Sequence, residues 1–204
     1  MVDTFKLFIS AANDLPDERE LVGHLVTEIP VTLGWQLNLT PMGKNAENKD
    51  LILDADYHLI IFGEDIRAPI GYEWHISRSA GRTPLFFIKT NIPRTFAGGD
   101  FLRRISRYPS LNSYASLAEF RKLVLTKIAQ HIIKYADLFE IKSLELKNVS
   151  NFINELEDVE PNLLDNVTGE DRIILTRERF MRQNGVLLQS PDVEPSTKDP
   201  YKID

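Results

Sequence analysis

The sequence predicts a doubly wound α/β domain over residues 5–139, in which helices cover both faces of a parallel sheet. Segments typical of strands alternate along the chain with segments typical of helices. Two of the strand segments, Leu59–Phe62 and Leu85–Ile88, are apolar throughout and suit the buried centre of a parallel sheet. The chain of 204 residues is long enough for one such domain and an extension.

The first strand and helix are predicted at the N-terminus. Phe5–Ser10 is a short apolar run that ends at a small polar residue, which favours a buried strand. Asp14 suits the N-cap of the helix that follows, and Pro16 suits its first turn. Apolar residues then recur at helical spacing, namely Leu21, Val22, Leu25, Val26 and Ile29.

Three more strands are predicted before residue 90. Trp35–Leu39 alternates apolar and polar residues, and the polar residues 41–48 after it form a predicted loop. Leu51–Leu53 fits either a short helix or an extended segment. His58–Phe62 and Pro84–Lys89 are the third and fourth predicted strands.

A short helix is predicted between these last two strands. It spans Tyr72–Ala80 and ends at Gly81, which places Glu73 in its first turn. After the fourth strand, the pair Gly98-Gly99 predicts a loop before a helical turn at Phe101–Ile105.

The predicted domain closes with a fifth strand, Asn112–Ala115, and a long helix. Ser116 and Glu119 have the spacing of a capping box at the start of that helix. An apolar stripe then continues for about five turns; it consists of Phe120, Val124, Ile128, Ile132 and Tyr135.

The pattern changes after Phe139, so residues 140–189 are interpreted as a helical extension and 190–204 as a flexible tail. Ser150–Leu156 is a weak helix. Glu170–Asn184 is a better one, and it carries an apolar side of Ile173, Ile174, Phe180 and Met181. That side can pack on a partner protein, on a second copy of the chain or on its own domain.

Charge and composition exclude several classes of protein. There is no cysteine, so disulfides, thiolate catalysis and Cys-ligated metals are excluded. Residues 1–139 hold 16 acidic and 16 basic side chains and residues 140–204 hold 14 and 8, so the net charge of −6 lies in the extension. This distribution argues against a nucleic-acid partner. The short cluster of Arg103, Arg104 and Arg107 is interpreted as a solvated helix face.

The N-terminus lacks the pattern of a signal peptide, and no apolar run approaches the roughly 20 residues that span a bilayer. We therefore expect a soluble, cytoplasmic protein without a membrane partner.

Ligands of doubly wound sheets bind at the carboxyl ends of the strands, near the point where strand order reverses. Three loops leave strands in that direction, at Ser10–Asp14, Gly63–Glu73 and Thr90–Gly99. The second is the most informative, because Gly63 permits a sharp turn after a strand and Gly71 permits close approach of a ligand to backbone.

Glu73 is the leading candidate for chemistry. A carboxylate at the mouth of the crevice can bind ribose hydroxyls, or stabilise or attack an oxocarbenium-like anomeric carbon. Trp74 and Tyr72 can stack on a base. The competing interpretation is that an acidic residue in the first turn of a helix simply stabilises that helix.

The sequence contains no other recognisable catalytic, metal-binding or phosphate-binding motif. His24, His58 and His131 have no partner at metal-ligand spacing and are interpreted as structural, so no metal site is predicted. Ser10 lacks the GxSxG context of a hydrolase nucleophile. The Walker and GxGxxG phosphate-binding motifs are also absent from the sequence.

Two separated blocks resemble one known family. They are FISAANDLPDER (Phe8–Arg19) and ADYHLIIFGEDIRAPIGYEWHISRSAGRTPLFFIK (Ala55–Lys89). The first resembles the opening "FISSTFxDLxxER" of a TIR-like (Toll/interleukin-1 receptor homology) group of bacterial signalling and defence proteins. The second resembles the group's strand, glycine, variable loop, helix-borne glutamate and closing strand, with Arg82-Thr83-Pro84 in place of Gly-Lys-Pro. Nucleoside deoxyribosyltransferases are related.

The resemblance implies a five-stranded parallel sheet of flavodoxin-like order. It also implies cleavage of the N-glycosidic bond of NAD or a related nucleotide, with Glu73 as the catalytic carboxylate and no cofactor other than the nucleotide substrate. Ser10 and Asp14 would line the ribose and phosphate side, and Arg67 would contact phosphate. The alternative is a non-catalytic TIR-like module that self-associates, docks a partner through the C-terminal helix, or senses a nucleotide.

Overall fold

The computed structural model describes residues 4–12, 14–40, 49–66, 68–108 and 111–158. Strands and helices alternate along them. The strands are β1 (Thr4–Ala11), β2 (Gly34–Leu39), β3 (Tyr57–Phe62), β4 (Leu85–Lys89) and β5 (Leu111–Tyr114). The helices are α1 (Pro16–Leu25), α2 (Lys49–Asp54), α3 (Ala68–Ser79), α4 (Phe96–Ile105), α5 (Leu117–Lys134) and α6 (Ser143–Asp158), and a 3-10 turn, Val26–Glu28, follows α1.

The strands form one five-stranded sheet in the order β2-β1-β3-β4-β5. Every neighbouring pair is parallel. The order reverses between β1 and β3, which makes the carboxyl ends of these two strands the topological switch point. The predicted flavodoxin-like α/β fold is confirmed.

Helices cover both faces of the sheet because side chains alternate along each strand. In β1, Phe5, Leu7 and Ile9 lie in the core beneath α1 and α5. Phe8 points to the other face and packs with Ile52 of α2. The result is a three-layer sandwich with α1, α5 and α6 on one side and α2, α3 and α4 on the other.

Helix α6 belongs to the same core. It buries Val149, Ile153 and Leu156 in the cluster that contains the apolar faces of α1 and α5. Packing therefore continues beyond Phe139, where the sequence pattern changes, and the helix is longer than the predicted Ser150–Leu156. The predicted helix at 170–184 and the tail at 190–204 lie outside the described residues.

Helix α3 begins earlier than predicted, at Ala68 instead of Tyr72. Pro69 is accommodated in its first turn, where a backbone N–H has no helical partner to lose. Glu73 is consequently the sixth residue of the helix and lies in its second turn. The interpretation that Glu73 stabilises the N-terminus of the helix is therefore wrong.

Three other local predictions need correction or completion. Gly98 and Gly99 lie inside α4, which Thr95 caps by accepting a hydrogen bond from the Gly98 N–H at 3.0 Å. Asp14 does not cap α1, since Leu15 holds that position without a side-chain bond. The ambiguous segment 51–53 is helical. Among the described helices, none is long and apolar enough to cross a membrane.

Candidate active site

Glu73 lies inside the protein, over the carboxyl ends of β1 and β2. Its side chain is on the α2–α4 face of the sheet, and the residue is only 2% exposed. Its Oε2 accepts hydrogen bonds from the Ser10 hydroxyl at 2.6 Å and from the Thr40 hydroxyl at 2.7 Å. Ser10 is part of β1, and Thr40 directly follows β2. Two adjacent strands thus each bring a hydroxyl to one carboxylate oxygen.

The hydrogen bonds continue away from Glu73 towards β3. Ser10 Oγ lies 2.8 Å from His58 Nε2, and His58 Nδ1 lies 2.5 Å from Ser77 Oγ. His58 is carried by β3, in register with Phe8 of β1. Ser77 lies one helical turn after Glu73 on α3, so both side chains point to the sheet. We call Ser77, His58, Ser10 and Glu73 the buried polar chain.

The buried polar chain is surrounded by apolar residues. On one side lies a cluster that includes Phe8, Ile52 and Ile76, and on the other a cluster that includes Ile60 and Ile70. Polar atoms in such an environment must be hydrogen-bonded or they cost free energy. The four residues of the buried polar chain meet this requirement by bonding one another.

Among the described residues, Arg19 lies near the Glu73 end of the buried polar chain and Arg82 near the His58 end. Arg19 of α1 donates from Nη2 to the Thr40 carbonyl at 3.1 Å. Burial lowers the pKa of Arg19, and the nearby charge of Glu73 partly offsets that effect. Its Nη1 is buried and has no hydrogen-bond partner among the described residues.

Arg82 acts at the other end. It donates to the carbonyls of Ile52, Leu53 and Ala55, which have no helical hydrogen-bond partner where α2 ends. Burial lowers the pKa of His58 to about 3, and the charge of Arg82 contributes in the same direction. The His58 imidazole is therefore neutral at physiological pH.

The predicted residues Asp14 and Gly63 meet at the switch point. Asp14 Oδ2 accepts a hydrogen bond from the Glu64 N–H at 2.9 Å. A Cβ atom on Gly63 would lie 2.3 Å from the same oxygen, so only glycine leaves room for the carboxylate. This contact joins the loop after β1 to the loop after β3.

The loop after β3 is also held from the side of β4. Arg94 donates to the carbonyls of Gly63 at 2.5 Å and Lys89 at 2.6 Å. The Thr95 hydroxyl donates to Asp65 Oδ1 at 2.5 Å. The part of the loop at 63–66 is thus anchored on two sides. Arg67, predicted to contact phosphate, lies outside the described residues.

The remaining predicted residues, Gly71 and Trp74, lie on α3 but point in other directions than Glu73. A Cβ on Gly71 would meet only Ile66 Cγ1, at 3.8 Å, so no contact among the described residues requires glycine there. The Trp74 ring packs edge-on against Phe101, with a centroid separation of 5.4 Å, and near Tyr108 at 6.3 Å. Trp74 thus faces α4, whereas Glu73 faces β1.

Sequence reasoning missed Thr40 and Ser77 and assigned His58 a purely structural role. Two signals were present. Ser77 follows Glu73 by four residues and therefore shares its helix face. His58 interrupts an otherwise apolar strand and needs a buried partner. His131 agrees with the structural interpretation, since it stacks on Tyr57 with a centroid separation of 3.9 Å.

Comparisons of the chain with protein-family models, with curated proteins and with solved structures gave no match. Within the described part of the chain, no group of three or more His, Asp or Glu side chains is placed to hold a metal ion. The chemical groups that the site offers are the buried carboxylate of Glu73 and the hydroxyls of Ser10 and Thr40.

Proposed function

We propose that this chain is a TIR-like domain that cleaves the N-glycosidic bond of NAD or a related nucleotide, with Glu73 as the catalytic carboxylate. One observation carries the proposal, the 2.6 Å hydrogen bond between Ser10 and Glu73. It joins the two blocks whose sequences resemble TIR-like domains, Phe8–Arg19 and Ala55–Lys89. Segments 63 residues apart thus meet at one buried carboxylate.

A carboxylate is the group that this reaction needs. The bond between the anomeric carbon and the pyridinium nitrogen breaks, and its electron pair leaves with nicotinamide. Positive charge develops on the ribose, and a carboxylate beside it stabilises that charge. Water then adds to the anomeric carbon and loses a proton to solvent. The products are nicotinamide, ADP-ribose and one proton.

Access to Glu73 requires that a protein group move, because the residue is 2% exposed. The Thr40 hydroxyl is the group best suited to leave. It lies 3.3 Å from the Ile9 carbonyl, so it has a second acceptor ready when it releases Glu73. A ribose hydroxyl would take its place on Oε2, and Arg19 Nη1 is a nearby donor for the ligand.

The test is release of nicotinamide from NAD by the full chain, measured by chromatography at low and at high protein concentration. Glu73→Gln keeps the size of the side chain and removes its charge, so we expect turnover to fall by about 100-fold or more. Glu155→Gln is the matched control, because Glu155 is exposed on α6, on the opposite side of the sheet from Glu73. The proposal fails if the natural chain releases no nicotinamide at any concentration, or if Glu73→Gln is as active as it.

The burial of Glu73 also favours a second candidate, a non-catalytic TIR-like module that binds a nucleotide or assembles with other proteins. Its Oε2 is already occupied by two protein hydroxyls. Calorimetry with NAD and with ADP-ribose separates the two candidates, since tight binding without nicotinamide release supports the second. A homo-oligomer or partner complex through residues 170–184 is tested by sizing the chain before and after truncation at Asp158.

A further inference from the structure

We propose that His58 and Ser77 are positioning residues that orient the hydroxyl of Ser10 so that it donates its hydrogen bond to Glu73. They do so through a series of hydrogen bonds that all donate in the same direction, from Ser77 through His58 and Ser10 to Glu73. This inference rests on the proposed function, because it assigns to Glu73 the ionised state that the cleavage reaction uses. It concerns the two residues behind Ser10: His58 contacts Ser10, and Ser77 contacts His58.

The direction of the chain follows from counting donors. An ionised carboxylate only accepts, so Ser10 must spend its single hydroxyl proton on Glu73 Oε2, 2.6 Å away. Ser10 Oγ can then only accept from His58 Nε2, at 2.8 Å. His58 therefore carries its proton on Nε2.

The far end of the chain agrees with this assignment. Burial holds the pKa of His58 at about 3, so the ring is neutral and has one N–H. With the proton on Nε2, Nδ1 is an acceptor, and Ser77 Oγ lies 2.5 Å from it with a hydroxyl to donate. Ser77, His58 and Ser10 thus each donate to the next residue towards Glu73, and Glu73 only accepts.

This arrangement has a consequence for Ser10. A free serine hydroxyl rotates among several acceptors. Here the N–H of His58 occupies one side of the oxygen and leaves the proton directed at the carboxylate. An oriented donor stabilises the charged form of a carboxyl group. All four members are buried, with exposures of 0% for Ser10 and Ser77, 4% for His58 and 2% for Glu73, so water does not compete for these positions.

The tautomer of His58 tests the direction without any measurement of activity. Two-bond proton–nitrogen NMR spectra of the full chain, labelled with ¹⁵N-histidine, should show a neutral ring with the proton on Nε2 from pH 5 to 8. Glu73→Met removes the acceptor at the end, so Ser10 is free to donate to His58. The Nδ1–H form should then rise from undetected to a population comparable with the Nε2–H form. Glu64→Met, at an exposed position, should leave the tautomer unchanged.

Kinetics test the positioning role. His58→Gln places an amide N–H near the position of Nε2, whereas His58→Met fills similar space without a donor. We expect His58→Met to lower kcat for NAD cleavage by about tenfold, the size of one lost hydrogen bond, and His58→Gln to stay within about threefold. The acid limb of the pH–rate profile should move to higher pH in His58→Met only, because a carboxylate without an oriented donor is protonated more easily.

The outcomes separate this inference from the proposed function. An Nδ1–H tautomer in the natural chain, or a ring that titrates near neutral pH, overturns the chain of hydrogen bonds even if NAD is cleaved. If His58 keeps the Nε2–H tautomer in Glu73→Met, the proposed coupling between the His58 tautomer and Glu73 is wrong. If NAD is never cleaved but the tautomer responds as expected, the proposed function fails and the directed chain stands. The tautomer of the natural chain decides the case if His58→Met does not fold.

Discussion

The carboxylate of Glu18 on α1 pairs inside the protein with the ammonium group of Lys89 at the end of β4, at 2.8 Å. The side chain of Glu18 is 2% exposed and that of Lys89 is 30% exposed. The Tyr114 hydroxyl donates to the same Glu18 oxygen at 3.2 Å, and burial together with Glu18 raises the pKa of Tyr114 above its ordinary value. This second polar group lies across the sheet from Glu73 and fixes α1 to the carboxyl edge.

Removal of Lys89 should destabilise the fold strongly. Lys89→Met leaves a buried carboxylate without a counter-charge, and we expect the free energy of unfolding to fall by about 3 kcal/mol. Urea unfolding followed by circular dichroism measures it. The double variant Glu18→Gln/Lys89→Met should recover much of the loss, because the buried charge is gone. Equal stabilities of the single and double variants would contradict this account of the pair.

Gly98 and Gly99 should differ sharply in their tolerance of alanine. A Cβ on Gly98 would lie 2.5 Å from the backbone oxygen of Glu64, so α4 and the loop after β3 would have to separate. We expect Gly98→Ala to cost about 2 kcal/mol or more. Gly99 lies in the same helix with nothing within 4 Å of its Cβ position. Gly99→Ala should therefore be neutral or stabilising by up to about 1 kcal/mol. Thermal unfolding of both variants decides the matter.

The protein should lose stability as pH falls below about 6.5. Burial lowers the pKa of His58 to about 3 and that of His131 to about 4, from an ordinary value of 6.5. Between pH 6.5 and 4 the unfolded chain binds protons at both positions and the folded chain does not. Stability must therefore fall with pH, by about 1.4 kcal/mol per pH unit for each histidine.

Urea unfolding at a series of pH values measures this slope. His58→Gln should remove one histidine's share of it, and His75→Gln, at an exposed position, should not change it. A slope in His58→Gln equal to that of the natural chain would contradict the neutral, buried state of His58.

Helix α6 should unfold together with the α/β core. Ile153 is 9% exposed and lies in the same apolar cluster as the faces of α1 and α5. Ile153→Ala should lower the free energy of unfolding by about 2–4 kcal/mol and leave a single transition. Ser150→Ala, on the exposed side of the helix, is the control. Two separate transitions would instead favour a domain boundary near Phe139.

Much of the fold was predictable, because the signals that determine it are local. The apolar runs of β3 and β4 predicted a buried parallel sheet, and Ser116 predicted the start of α5, where its hydroxyl accepts from the Glu119 N–H. Helix starts were predicted less well. Thr95 caps α4 and places Gly98 inside the helix, and the reason glycine is needed there, the Glu64 carbonyl, comes from another loop.

The sequence alone determined the fold class and singled out Glu73 and Ser10, since hydrophobic periodicity and the order of the two sequence blocks are properties of the chain itself. Only the tertiary structure decided that these two residues touch, that Thr40 shares the carboxylate, and that His58 stands behind Ser10. The reason is that these contacts depend on strand order and register, which bring Ser10 beside His58 across 48 residues of chain. Local pattern carries no information about which distant hydroxyl a buried carboxylate will meet.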